Sequence, residues 1–157
     1  MSTTPYRILF VCLGNICRSP AGENVLRHLL QRQQITGVSI DSAGTAGYHI
    51  GKKPDPRMSA ELERRGIRVE GTARQFEAAD FDAFDLIVPM DQSNEKNVLK
   101  LAKNDAQREK VQPFMSFCTA YTNPEVPDPY YDGPEAFALV ANIMIDGCLS
   151  IIDALPA

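Results

Sequence analysis

The chain has 157 residues, a formal net charge of −4, 44% apolar residues and 23% charged residues. That length suits one domain, expected over residues 1–157, with a core large enough to fold without disulfide or metal staples, and the composition excludes a disordered or fibrous chain. The acidic balance argues against nucleic acid as a partner, because phosphate backbones call for clustered Lys and Arg.

Tyr6 to Cys12 reads as a strand buried on both faces, its apolar run being continuous rather than alternating. The run from Ile8 to Leu13 is too short to span a bilayer and lacks the basic start and cleavage site of a signal peptide. No membrane insertion is expected, and four well-separated cysteines suggest reduced thiols in a cytoplasm. A helix should begin at Ser19, which can cap it, with Pro20 at the first position and Glu23 in the first turn. Val25, Leu26, Leu29 and Leu30 give it an apolar face. Val38 to Asp41 reads as a short strand. A second helix is predicted from Asp55 to Arg65, stopped by Gly66.

Leu86, Ile87 and Val88 form the third predicted strand, with Pro89 at its end because proline cannot donate to a ladder. A polar helix follows from Asp91, with Val98 and Leu101 facing inward, and Val111 to Met115 reads as a fourth strand. The last helix is expected to open with Asp132 as cap and Glu135 completing a capping box. Phe137, Val140, Ala141, Met144, Ile145, Cys148, Ile151 and Ile152 then recur at helical spacing. Strands alternating with helices imply an α/β domain: an open four-stranded parallel sheet with helices on both faces. Loops after parallel strands share one edge, where ligands bind. Cys12 to Ser19, Ala43 to Pro54, the start of the helix at Asp91, and Phe117 to Asp132 should meet there.

The first of these segments carries the chemistry. Cys12 and Arg18 stand in the spacing Cys-x5-Arg, between a buried strand and a capped helix, so the loop N–H groups can cradle an oxyanion. Gly14 and Asn15 tolerate the positive dihedrals such a cradle needs. The same positive surroundings favour a thiolate at the loop's start, and Arg18 offers a planar fork for two phosphate oxygens. The phosphate-binding loop is thus expected between the first strand and the first helix.

Val11-Cys12-Leu13-Gly14-Asn15-Ile16-Cys17-Arg18-Ser19-Pro20 resembles the signature of low-molecular-weight protein-tyrosine phosphatases. The likeness continues in order through Asp41-Ser42, Pro54-Asp55-Pro56-Arg57, Ala73-Arg74-Gln75, Met90-Asp91-Gln92-Ser93-Asn94 and Asp128-Pro129-Tyr130-Tyr131. It implies hydrolysis of phosphotyrosine on protein substrates through a cysteinyl-phosphate, without metal or cofactor. In that mechanism Cys12 is the nucleophile, Arg18 holds the phosphoryl oxygens and Asp128 is the general acid and base. Leu13, Gly14, Asn15, Ile16 and Cys17 would bind phosphate, Ser19 would stabilise the thiolate, and Tyr48 and Tyr130 would wall the pocket. Ser42 would support Asn15, Asp91 would cap its helix and touch Arg18, and Tyr131 would stand at the mouth. An apolar Ile16 favours phosphotyrosine, since arginine-phosphatase relatives carry threonine there.

One departure concerns a histidine that family members often carry just before Ala-Arg-Gln, where this chain has Gly71. That weakens the expected outer support of the loop. Lys52, Lys53 and Arg57 add positive charge near Tyr48, either to attract acidic peptides or as a solvated basic loop. Cys17 is either a redox guard for Cys12 or a small buried thiol. Arsenate reduction on the same scaffold would need further cysteines between about Asp80 and Gln92, where none occurs, and a pure phosphate binder would have no use for Asp128. A monomer is the expected state.

Overall fold

A computed structural model describes residues 4–156. Strands β1 (Tyr6–Cys12), β2 (Val38–Gly44) and β3 (Leu86–Pro89) form a parallel sheet in the order β2-β1-β3. The register runs from Tyr6 opposite Val38 to Cys12 opposite Gly44, so both strands end level with the loop that leads into the first helix. Helices α1 (Arg18–Arg32), α2 (Pro56–Arg64), α3 (Asp80–Ala83), α4 (Gln92–Leu99), α5 (Asp105–Glu109) and α6 (Pro134–Asp153) complete the order.

The period-two geometry of β1 divides the core into two layers. Ile8, Phe10 and Cys12 pack with Val25 and Leu26 of α1, Met58 and Leu62 of α2, and the apolar face of α6. Leu9 and Val11 point the other way, toward Phe76, Phe81, Phe84 and Val98. A strand covered on both sides has no polar face to show, which is why its apolar run is unbroken. Helix α6 is long and apolar enough to cross a bilayer by length and composition, but here Phe137, Val140, Ala141, Met144, Cys148, Ile151 and Ile152 are buried in the core.

Several boundaries differ from the sequence reading, each for a local reason. The sheet has three strands rather than four. Val111 makes only an isolated parallel bridge to Ile87, because Pro89, the next β3 residue facing that side, has no N–H to donate to Gln112 and Phe114–Phe117 wind into a 3₁₀ turn. Helix α1 starts at Arg18, with Cys17 at the cap position and no side-chain cap, because the Ser19 hydroxyl is engaged with the loop instead. Gly133, not Asp132, is the cap residue of α6, and Pro134 supplies the first helical position. Leu101 lies beyond the end of α4 and is 42% exposed, whereas Val98 is fully buried. Gly66 stops α2 as expected, with φ of +79°.

Candidate active site

The first strand delivers Cys12 to the carboxyl edge of the sheet, and the chain turns there without leaving it. Thr45 and Ala46 donate their N–H groups to the carbonyls of Cys12 and Leu13, at 2.9 Å each. Asp55 N–H donates to the Ile16 carbonyl at 2.6 Å, and Ala21 N–H to that of Cys17 at 3.0 Å. With these carbonyls held by neighbouring segments, the N–H groups from Leu13 to Cys17 have no acceptor among the described residues. They form the free-donor concavity that binds anions.

Of the two residues expected to take positive dihedrals in this turn, one does. Asn15 takes the left-handed conformation, with φ of +56°, but Gly14 does not. Gly14 is needed because the His49 ring lies over it, where a Cβ would come within 2.8 Å of the imidazole. Gly44 at the end of β2 is also sterically required, since a Cβ there would stand 2.8 Å from the Leu13 carbonyl oxygen.

Behind the loop runs a buried chain of hydrogen bonds. Arg74 N–H donates to Asn15 Oδ1 at 2.9 Å, which fixes the amide with Nδ2 facing Ser19 Oγ at 2.8 Å and Ser42 Oγ at 2.9 Å. Ser42 in turn donates to Glu23 Oε1 at 2.5 Å, and Arg27 donates to the other carboxylate oxygen at 2.7 Å. Ser19 Oγ accepts from Asn15, and its single proton has two acceptors in reach, Cys12 Sγ at 2.9 Å and the Ala43 carbonyl at 3.3 Å. Gly71, with φ of +110°, borders this carboxylate: a Cβ would lie 3.6 Å from Glu23 Oε2. With Gly71 at this position, Ser42 is held by Glu23, which is in turn bonded by Arg27.

Arg18 is 3% exposed and is gripped from two sides. Its Nη1 donates to Asp91 Oδ2 at 2.8 Å and to the Val126 carbonyl at 3.1 Å, while Nη2 lies 3.7 Å from Asp128 Oδ2. Burial opposes its charge, but Cys12, Asp91 and Asp128 together more than offset that and hold the guanidinium firmly protonated. Asp91 divides its oxygens: Oδ1 accepts from Asn94 N–H in a reciprocal capping box on α4, and Oδ2 receives Arg18. Cys17 is buried, and that burial, followed by the negative charges of Cys12, Asp55 and Asp128, pushes its thiol well above the usual range. All four cysteines are free thiols.

The long segment before α6 brings Asp128 over the loop. Val126 is buried, with its N–H on the Met90 carbonyl at 2.9 Å, and Glu125 accepts from Gln92 N–H at 2.7 Å. Farther back, Asp146 of α6 accepts from the N–H groups of Thr119, Ala120 and Tyr121. Tethered at these points, the segment leaves the Asp128 side chain 48% exposed at the edge of a cleft of about 350 Å³. Cys12 and Arg18 lie at its buried end, and Tyr48, His49, Tyr130 and Tyr131 line it farther out. Tyr130 and Tyr131 meet edge to face at 4.9 Å, and Tyr131 is 93% exposed.

The cleft thus ends in a buried thiol, a guanidinium and free amides, with tyrosines toward solvent. A family model for low molecular weight phosphotyrosine protein phosphatases matches residues 7–156. The chain belongs to that family. A low molecular weight phosphotyrosine protein phosphatase of Schizosaccharomyces pombe is 39% identical over 137 residues, 86% of this chain and 87% of its own. The crystal structure of a protein tyrosine phosphatase from Entamoeba histolytica superposes with a TM-score of 0.91 at 40% identity, covering 94% of this chain and 95% of its own. Wzb of Vibrio vulnificus, solved in complex with benzylphosphonate, superposes at 0.83 with 28% identity, covering 96% and 99%.

Within the phosphatase fold the residues singled out from sequence divide into two sets. Cys12, Leu13, Gly14, Ile16, Cys17, Arg18, Tyr48, Asp128, Tyr130 and Tyr131 border the cleft. Asn15, Ser19, Ser42 and Asp91 stand behind it and act on its floor through hydrogen bonds. Four residues escaped the sequence reading in their present parts: Glu23, His49, Arg57 and Arg74. Glu23 had a visible signal, an acid followed four residues later by Arg27 on a helix leaving the loop. Lys52 and Lys53 do not border the cleft, and the charge of Arg57 is engaged by Asp55.

Proposed function

We propose that the chain hydrolyses phosphotyrosine in proteins by double displacement at Cys12. The Cys12 thiolate attacks phosphorus while the phenolic oxygen departs, taking the proton of Asp128. Water then attacks the cysteinyl-phosphate, the P–S bond breaks, and Asp128 recovers a proton from that water. Arg18 and the free amides of the loop carry the charge on the three phosphoryl oxygens through both transition states. As the thiolate is regenerated, the Ser19 hydroxyl donates to it.

The observation that carries this reading is the meeting of three groups around one guanidinium and one sulfur: Ser19 Oγ at 2.9 Å from Cys12 Sγ, Asp91 at 2.8 Å and Asp128 at 3.7 Å from Arg18. The aryl stem fits because tyrosines border the cleft between its buried end and solvent, and the Vibrio vulnificus relative was solved in complex with benzylphosphonate, whose phenyl ring is one methylene from phosphorus. Purified protein is expected to release phosphate from a phosphotyrosyl peptide in EDTA. Cys12→Ser should abolish turnover, and Asp128→Ala should slow it by roughly 100-fold, the range for losing a general acid. Equal rates for Asp128→Ala and the unaltered protein would remove Asp128 from the mechanism.

A further inference from the structure

The acid and the nucleophile lie on segments more than a hundred residues apart, and Asp128 is half exposed at the cleft edge. Something must hold their separation. A continuous path of bonds joins them, and it passes outside the phosphate cradle. It begins at the Ile16 carbonyl of the loop, which accepts from Asp55 N–H at 2.6 Å. The buried Asp55 carboxylate then accepts a two-pronged bond from Arg57, Nε to Oδ1 at 3.1 Å and Nη2 to Oδ2 at 2.8 Å. The remaining arm of the guanidinium, Nη1, donates to the Tyr130 carbonyl at 2.8 Å. Tyr130 N–H closes the path on Asp128 Oδ1 at 3.1 Å.

The guanidinium is also held by its faces. Its carbon lies 5.2 Å from the centre of the Tyr130 ring and 4.8 Å from that of Phe137, a buried residue of α6. Each part of the side chain has a partner in a different element: Asp55 at the start of α2, the carbonyl and ring of Tyr130 beside the acid, and Phe137 in the core. Only a planar fork serves all of them at once; a lysine is a point charge with no such geometry. We propose that Arg57 and Asp55 form a strut that sets the position of the general acid over the phosphate loop, with Arg57 as a positioning residue that touches neither phosphate nor the leaving group. This inference rests on the reading of Asp128 as the acid.

A misplaced acid has a signature that a loosened protein lacks. A departing nitrophenolate is stable without a proton, whereas a departing phenolate needs one, so failure of acid catalysis is felt mainly on the poorer leaving group. The experiment compares kcat/KM for para-nitrophenyl phosphate and phenyl phosphate in Arg57→Gln, Arg57→Lys, Asp128→Ala and the double variant Arg57→Gln with Asp128→Ala. Both Arg57 variants should lose about 10-fold or more on phenyl phosphate and less than about 3-fold on para-nitrophenyl phosphate. Inhibition by inorganic phosphate should stay unchanged, showing an intact cradle. The double variant should discriminate between the two esters no more than Asp128→Ala alone. Equal losses on both esters, or no loss on either, would overturn the strut. If Asp128→Ala itself shows no preferential loss on phenyl phosphate, it is the acid assignment that fails, and the two failures are thus told apart.

Discussion

At the scale of single residues, the site is organised by which atoms can donate and which can only accept. The Glu23 carboxylate is the end of the chain behind the phosphate loop: it takes the Ser42 proton, so that Ser42 Oγ is free to accept from Asn15. Without that acceptor, the Ser42 hydroxyl would be buried with no group to receive its proton. Glu23→Ala is therefore expected to destabilise the protein by about 2 kcal/mol, the cost of an unsatisfied buried polar group added to a lost charged bond. Ser42→Ala alone should also be destabilising, because Asn15 then loses an acceptor. The two should not add, since removing both ends of one bond leaves less unsatisfied than removing either. Urea unfolding of the singles and the pair tests this, and simple additivity would mean that Glu23 acts elsewhere. That Cys12, Arg18, Asp128 and the tyrosines meet at one cleft was legible in the sequence, because loops that follow parallel strands share one edge of the sheet. Glu23 in this part was not, because the sequence reading starts the helix at Ser19 and places Glu23 in its first turn as a dipole partner. The helix starts at Arg18 with no acid in its first turn, and burial beside Ser42 makes Glu23 an acceptor.

Among elements, the final helix was the easiest to read and also shows what pattern alone omits. Its apolar stripe at helical spacing marked most of the buried face, but Ile145 is only partly buried, Ile143 is buried outside the stripe, and Gly147 lies on that face without being an apolar anchor. It is there because α6 crosses the 3₁₀ turn so closely that a Cβ would come within 2.3 Å of the Phe114 ring. The same closeness explains the lost fourth strand: Phe114 is drawn into the core under α6, and the chain leaves β3 after the single bridge at Val111. Long-range packing of this kind has no signature in a window of a few residues, so the helix was visible and its partner was misread. Gly147→Ala isolates the effect. Alanine gains about 1 kcal/mol in helix propensity, while overpacking against a buried ring costs about 1–3 kcal/mol. A net loss is expected, seen as a lower melting temperature with unchanged helical circular dichroism. A stabilised variant would show that Phe114 can move aside.

For the molecule as a whole, stability should have an acid limb and an alkaline limb of separate origin. On the acid side, bonds from Arg65 and Arg64 hold the Glu61 carboxyl below its ordinary range, and Arg7 does the same for Asp85. Buried Asp55 is drawn down by Arg57 against the opposing effect of its burial, and Asp146 by the N–H groups it caps, against a similar opposition. A carboxylate depressed on folding contributes stability above its unfolded value, about 4, and that contribution is lost as pH falls through the folded value. On the alkaline side, burial raises the thiols of Cys17 and Cys148 and pushes Cys118 up to about 12. Thiols raised on folding contribute below the unfolded value of about 8.5, and the contribution is lost as pH rises beyond it, because the unfolded chain ionises first. From these groups the urea midpoint should fall below about pH 4 and above about pH 9. Glu61→Gln should make the acid limb shallower and leave the alkaline one alone, since its partners Arg64 and Arg65 lie apart from every thiol named. Cys118→Ser should do the opposite, because a hydroxyl of similar size does not ionise in that range. If either substitution moved both limbs equally, the separation of carboxylate and thiol contributions would be wrong.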